Sequence, residues 1–352
     1  MRAVLLALCL AACRHRSAPV LVDGTLPFGS REGLMARFVR EGYDLAFEEA
    51  GSGWRLDLAD DGGDPARGVE SMRRSPARFH LGSSSPEVAD AQTAFAAAQG
   101  MPYLDGLQIS GEQLAITQMR WIDELRRSGR LPTPVALAVL VEDGARGAAF
   151  GRAVARMAGE NAAIRIAYLG TFPAGEQDFT RALSEVRAAA ADVFLSDESL
   201  NEFMVLHHQY RLRGLCHRLA AYGPHGAELQ SLEAFGFDGL AYLASAVPWT
   251  WRLATSPASR RFLASFKNTY RREPDWQGAL AYEAARRLIE AIRAAGPDPS
   301  KVRAALAGPS RESILSTEPL VIQQHLPDGT APVVFPPAVA EAEGLTATPK
   351  CN

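Results

Sequence analysis

Apolar positions along this chain repeat in two periods that take turns. Val20-Leu21-Val22 reads as a short strand running into a Gly/Pro turn, Gly24 to Gly29. The segment 33–50 then places Leu34, Met35, Phe38, Val39, Gly42, Leu45 and Ala46 on one helical face. Trp54, Leu56 and Leu58 alternate as a strand closed by Asp60-Asp61-Gly62-Gly63, and Asp64-Pro65 caps and starts the next helix. Phe79 and Leu81 end another short strand. A helix from Glu87 to Gln99 follows, with Gly100 as its C-cap, then a brief strand Met101-Pro102-Tyr103-Leu104. A helix around Leu114, Met119, Ile122 and Leu125 stops at Gly129. The order βαβαβαβα predicts a parallel sheet with helices on both faces.

After a crossover at Pro132–Pro134 the alternation restarts. Val135 to Val141 is almost unbroken apolar sequence, the mark of a strand buried on both faces. Helix 148–157, strand 164–169 and helix 178–189 come next, with Asp178 as N-cap and Phe179, Leu183 and Val186 facing inward. Strand 193–195, helix 201–213, strand 219–221 and the apolar run 240–247 complete a second sheet. Two long helices, 257–271 and 277–295, precede a short one at 302–306. Leu320-Val321-Ile322 and Val333-Val334-Phe335 flank an Asp328-Gly329 turn, a hairpin signal. There are no tandem repeats, only two similar α/β halves.

The 352 residues fit two lobes of ordinary domain size. A net charge of -3, with arginines dispersed along the chain, gives no electrostatic reason to expect nucleic acid. Cys9 and Cys13 lie near the start, leaving Cys216 and Cys351. No Cys-x-x-Cys pair exists, so neither a disulfide framework nor a zinc site is indicated, and His207 and His208 diverge on a helix. Nothing points to a metal or a cofactor.

Arg2 is followed by an apolar run, Ala3 to Ala12, too short to span a bilayer and shaped like an export signal. Its end, Leu10-Ala11-Ala12-Cys13, resembles the lipobox of bacterial lipoproteins. That resemblance implies signal cleavage before Cys13, lipid modification of Cys13, and a tether over residues 13–18. The expectation is an exported protein anchored to a bacterial membrane and facing the periplasm or the cell exterior.

The stretch His80 to Ala89 carries the first candidate chemistry. Gly82 opens a turn of three serines, Ser83-Ser84-Ser85, and Pro86 suits the first turn of a helix. Hydroxyls, backbone N–H groups and the positive end of the helix dipole converge there, which suits a small anion. An ordinary capped βα connection has the same residues.

Taken in order, several segments resemble one family. They are Gly42-Tyr43-Asp44-Leu45-Ala46, Asp60-Asp61 to Asp64-Pro65-Ala66, Gly82-Ser83-Ser84-Ser85, Ala174-Gly175-Glu176-Gln177-Asp178-Phe179, Tyr222-Gly223-Pro224 and Arg272-Glu273-Pro274 with Ala279-Leu280-Ala281-Tyr282. Their order and spacing are similar to type I periplasmic binding proteins, specifically the branched-chain amino acid-binding receptors of ABC transporters. The resemblance implies an α/β fold of two doubly wound parallel-sheet lobes joined by a three-strand hinge. It implies lobes at 19–132 with 249–315, and at 133–248 with 316–343, followed by a tail at 344–352. It implies further a small-molecule ligand in the cleft, an ABC permease as partner, a monomer, and no catalysis, since no catalytic residue constellation stands out.

Carried over residue by residue, the resemblance assigns the ligand carboxylate to Ser84 and Ser85. The loop after the next strand, Gly106 to Ser110, offers only Ser110. Met35 faces the cleft or packs in the core. On the far wall Arg146 and Ser199 stand where relatives present aromatics, and His225 replaces the acid that neutralises an amino acid's ammonium. An imidazole supplies no buried negative charge, and an unpaired buried ammonium is costly, so standard free amino acids are not expected to bind. Arg146 with His225 favours a second acidic or polar oxygen group, unless Asp197, Glu198 and Glu202 cancel that charge; a solvated arginine and a surface histidine are the plainer readings. The ligand expected is therefore a small carboxylate-bearing or amide-like molecule. A second expectation is a lipid-anchored interaction protein that keeps this fold and no longer transports a ligand.

Overall fold

The computed structural model of the chain describes residues 18–308, 312–315 and 320–346; Cys13 and its apolar leader lie outside them, as do residues 347–352. Strands β1 (Val20–Leu26), β2 (Trp54–Asp60), β3 (His80–Leu81) and β4 (Tyr103–Leu104) form a parallel sheet in the order β2-β1-β3-β4. Between them run α1 (Gly33–Ala50), α2 (Pro65–Arg74) and α3 (Pro86–Gln99), and α4 (Gly111–Arg127) follows. Asp64 starts α2 by accepting the N–H groups of Ala66 and Arg67 at 2.8 and 3.3 Å, and Gly100 ends α3 in the left-handed region.

The second sheet has the order β11-β10-β9-β8-β7-β5-β6. Its parallel part is β5 (Val135–Glu142), β6 (Ile164–Phe172), β7 (Val193–Asp197), β8 (Leu219–Tyr222) and β9 (Leu243–Val247). Helices α5 (Ala145–Gly159), α6 (Thr180–Ala188), α7 (Leu200–Leu212) and α8 (Leu229–Leu240) connect these strands. Seven of the eight residues of β5 are buried, as an apolar run at a sheet centre requires. β10 (Val321–Gln324) pairs antiparallel with β9, and β11 (Val333–Phe335) pairs antiparallel with β10.

Between β9 and β10 the chain returns to the first sheet as α9 (Pro257–Tyr270), α10 (Trp276–Ala295) and α11 (Pro299–Leu306). α10 packs along α1 so closely that a Cβ on Gly42 would lie 2.1 Å from the Gly278 carbonyl oxygen, and only glycine fits there. The chain thus passes between the sheets three times, and the architecture is α/β with two lobes.

Two local readings need correction. Helix α8 is absent from the hydrophobic pattern, because Gly236 (φ 65°, ψ 176°) breaks it in two. Asp178 accepts the Thr180 N–H at 2.9 Å, so α6 starts two residues later than expected, with Phe179 at the N-cap. Cys216 is disulfide-bonded, although the cysteine pattern indicates no disulfide framework; the other three cysteines all lie outside the described residues. Among the described residues, no helix is long and apolar enough to cross a membrane, and no cluster of three or more His, Cys, Asp or Glu side chains could hold a metal ion.

Candidate functional site between the lobes

In a parallel sheet each strand hands the chain to a helix at its carboxyl end, so helix N-termini gather on one edge of the sheet. Here the two such edges face each other. α1 enters behind Glu32, α3 behind Ser84-Ser85, α5 with Arg146 in its first turn, α7 behind Ser199, and α10 with Trp276 and Gln277 in its first turn. Together with Met35, Gln108 and His225, the residues Glu32, Ser84, Arg146, Ser199, Trp276 and Gln277 line one cavity. Its volume is about 40 Å³, against roughly 300–1,000 Å³ for a typical small-molecule pocket. The lobes are closed to the point where a few water molecules fit.

The serine turn is held from behind. Ser83 donates its hydroxyl to Asp61 at 2.8 Å and accepts the Ser85 N–H at 3.2 Å, while Gln108 donates to the Ser83 carbonyl at 3.2 Å. No side chain caps the α3 N-terminus. The Ser84 hydroxyl, on a residue 9 % exposed, has no hydrogen-bond partner. Ser85 is buried away from the cavity and donates to Glu87 at 3.3 Å. Beside it lies Glu32, whose carboxyl is pushed up to about 7 by burial and by Glu87, against the opposing pull of Arg31 and Ser85. A carboxyl from the chain itself thus stands next to the turn where a ligand carboxylate was expected.

The far wall is an internally neutralised network. Arg146 donates to Asp197 at 3.0 and 2.5 Å and to the Glu198 carbonyl at 3.2 Å. Burial pulls the guanidinium pKa down, but Asp197 outweighs this and holds it above its ordinary value. Of the two expectations for the charge of Arg146, the structure has the second: Asp197 already holds it, and Arg146 is not left to draw an acidic group. Burial drives the Glu198 carboxyl well above the usual range. The Ser199 hydroxyl sits 2.7 Å from Glu142 and 2.6 Å from Glu202, and with one proton it donates to only one of them at a time.

His225 is 1 % exposed and so is no surface histidine. Its Nδ1 lies 2.9 Å from Oε1 of Glu228, which also accepts Trp276 Nε1 at 3.0 Å and Gln277 Nε2 at 2.5 Å. With its amide nitrogen committed, Gln277 turns a carbonyl oxygen without a partner to the other side. An acid therefore does lie at this end of the cleft, one layer behind the imidazole.

Of the seven residues expected at the site, Met35, Ser84, Arg146, Ser199 and His225 line the cavity; Ser85 and Ser110 do not, and Ser110 is exposed. Glu32, Gln108, Trp276, Gln277 and Glu228 were missed. The Asp275 N-cap before Trp276 was the one available signal, since it marks a further helix N-terminus.

The model of a family described as periplasmic binding protein matches residues 26–317. No curated protein matches the chain significantly. Among solved structures, the leucine-binding protein LivK of Thermotoga maritima is 16 % identical, with 89 % of this chain and 97 % of that one covered and a TM-score of 0.76. LivJ of Streptococcus pneumoniae, solved with isoleucine, is 14 % identical over 94 % of this chain and all of its own, with a TM-score of 0.77. A solute-binding protein of R. palustris in complex with benzoate is 15 % identical over 95 % and 99 %, with a TM-score of 0.76. At such identities the likeness speaks for the fold.

Proposed function

This chain belongs to the periplasmic binding protein family, and on that premise we propose that it is the extracytoplasmic solute receptor of an ABC transporter, anchored to the membrane through lipid on Cys13. The observation that carries the reading is the cavity itself, lined from both lobes by residues at five helix N-termini. Such a site closes around a solute, and a closed lobe pair is the shape a permease can distinguish from an open one. The Cys216 disulfide is in keeping with an oxidising, exported setting.

Of the carboxylate-bearing and amide-like ligands, the amide-like class has the better support. Arg146 is neutralised, Glu32 crowds the serine turn, and the lining atoms without partners are the Ser84 hydroxyl, the Gln277 carbonyl and Oε2 of Glu32. These complement a group that both donates and accepts, as a primary amide does. Free amino acids fit poorly, because His225 stands between the cavity and the Glu228 carboxylate at that end.

Thermal-shift screening of the purified protein against amides, organic acids and amino acids tests this. An amide that raises Tm in the wild type and loses affinity in Gln277→Leu supports it; no shift with any compound refutes it. Cys13→Ser should move the protein from the membrane to the soluble fraction, and retention at the membrane would refute the anchor.

The smallness of the cavity favours one alternative, an anchored interaction protein whose cleft stays shut. It would show no ligand shift, and its solution scattering would match the closed form under every condition.

A further inference from the structure

Beside the cleft, on the flank where the chain passes between the lobes, lies a second cavity of about 400 Å³, within the size range of small-molecule sites. Its apolar wall includes Trp249, Trp276, Trp251 and Phe237, the last two 39 % and 52 % exposed. Its polar groups are not used up by the fold. Glu228 spends Oε1 on the cleft residues and leaves Oε2 without a partner, on a side chain 2 % exposed. Glu273 pairs one oxygen with Lys267 at 2.7 Å and leaves the other unpartnered. His325, 5 % exposed, engages the Gly226 carbonyl through Nε2, so Nε2 carries the proton and the unpartnered Nδ1 is an acceptor. Against these three acceptors stands one unused donor, the Nε1 of buried Trp249.

The two arginines on the wall are already engaged. Arg252 lies over the Trp251 ring at 4.9 Å and pairs with Glu341 at 3.5 Å. Arg272 is held by Glu41 and by Asp275 at 3.3 Å. What remains is a surplus of acceptors, two of them carboxylate oxygens, beside aromatic faces that attract cations.

We propose that this cavity is a second small-molecule site, one that takes a protonated organic amine with an apolar body and a single oxygen acceptor. The ammonium donates to Glu228 and Glu273, the body lies against the aromatic wall, and the oxygen accepts from Trp249. The site shares only Trp276 with the cleft, and the proposal does not depend on what the cleft binds.

Calorimetry on the full chain with three probes sharing one ring and hydroxyl tests it: tyramine, the neutral alcohol tyrosol, and the anion 4-hydroxyphenylacetate. Tyramine should bind, with the anion weaker by at least about 30-fold and the alcohol between them. Glu273→Gln and Trp251→Ala, both at partly exposed positions, should each weaken tyramine by about 5- to 10-fold. Ser84→Ala, in the cleft, should leave it unchanged. No heat with tyramine at millimolar concentration, equal binding of the anion, or loss in Ser84→Ala with retention in the other two variants would each overturn the proposal.

Discussion

Arg31 on the first lobe reaches across the mouth of the cleft to Glu202 on the second, with Glu142 at 3.2 Å from the same guanidinium. The Glu202 side chain is 1 % exposed and that of Arg31 34 % exposed, so a buried acid finds its counter-charge on the opposite lobe. Asn201 adds a bond from its side-chain amide to the Arg31 carbonyl at 2.8 Å. Arg31→Gln should therefore open the unliganded molecule and weaken cleft ligands by about 10-fold, the effect of a half-exposed charge-assisted contact. Small-angle scattering without ligand checks it; an unchanged radius of gyration would count against the latch.

Glu228 joins His225 of the second lobe to Trp276 and Gln277 of the first. In Glu228→Leu all three donors lose their shared acceptor, which should cost about 2–4 kcal/mol of stability. Denaturant titration reads this directly. Glu228→Gln keeps one carbonyl oxygen and should lose less than half as much.

Glu32 gives the cleft a pH dependence of defined sign. Its carboxyl titrates at about 7 in the folded protein and at the ordinary 4.5 when unfolded. The folded state therefore holds this proton more tightly. The resulting stabilisation is complete below pH 4.5 and is lost as pH rises through about 7, a change of about 1–3 kcal/mol. Glu87 and Glu142 act in the same direction, while Arg31 and Ser85 oppose them. Stability of the wild type minus that of Glu32→Gln should fall across this window; a flat difference would remove Glu32 as the cause.

Asp197→Asn releases Arg146 from its neutralising partner. The acid is 1 % exposed, so about 2–4 kcal/mol of stability should be lost, and small carboxylates should bind the cleft better than they bind the wild type. Thermal denaturation with and without acetate reports both effects together.

Much of the fold was legible in the residues. Asp64-Pro65 and Gly100 mark helix ends through local chemistry, and the apolar run of β5 declares a central strand. Helix α8 was hidden because Gly236 interrupts its period. In the site, Ser84 could be found because it sits at a strand-to-helix turn with a local signature, whereas Ser199, also a helix N-cap, was reached only through the family resemblance. Gln108 was overlooked because hydroxyls were sought in its loop, whereas Ser110 is exposed and the longer amide reaches the serine turn. The union of Glu228 with Trp276 and Gln277 spans 48 and 49 positions and two lobes, so no neighbourhood in the chain announces it.

A cleft with about 40 Å³ of room cannot be entered in its shut form. Solute uptake then waits on a spontaneous excursion in which Arg31 lets go of Glu202, and the observed association rate should level off with rising solute at the frequency of that excursion. The same grip sets residence time, so a receptor latched this way trades speed of loading for slowness of leakage.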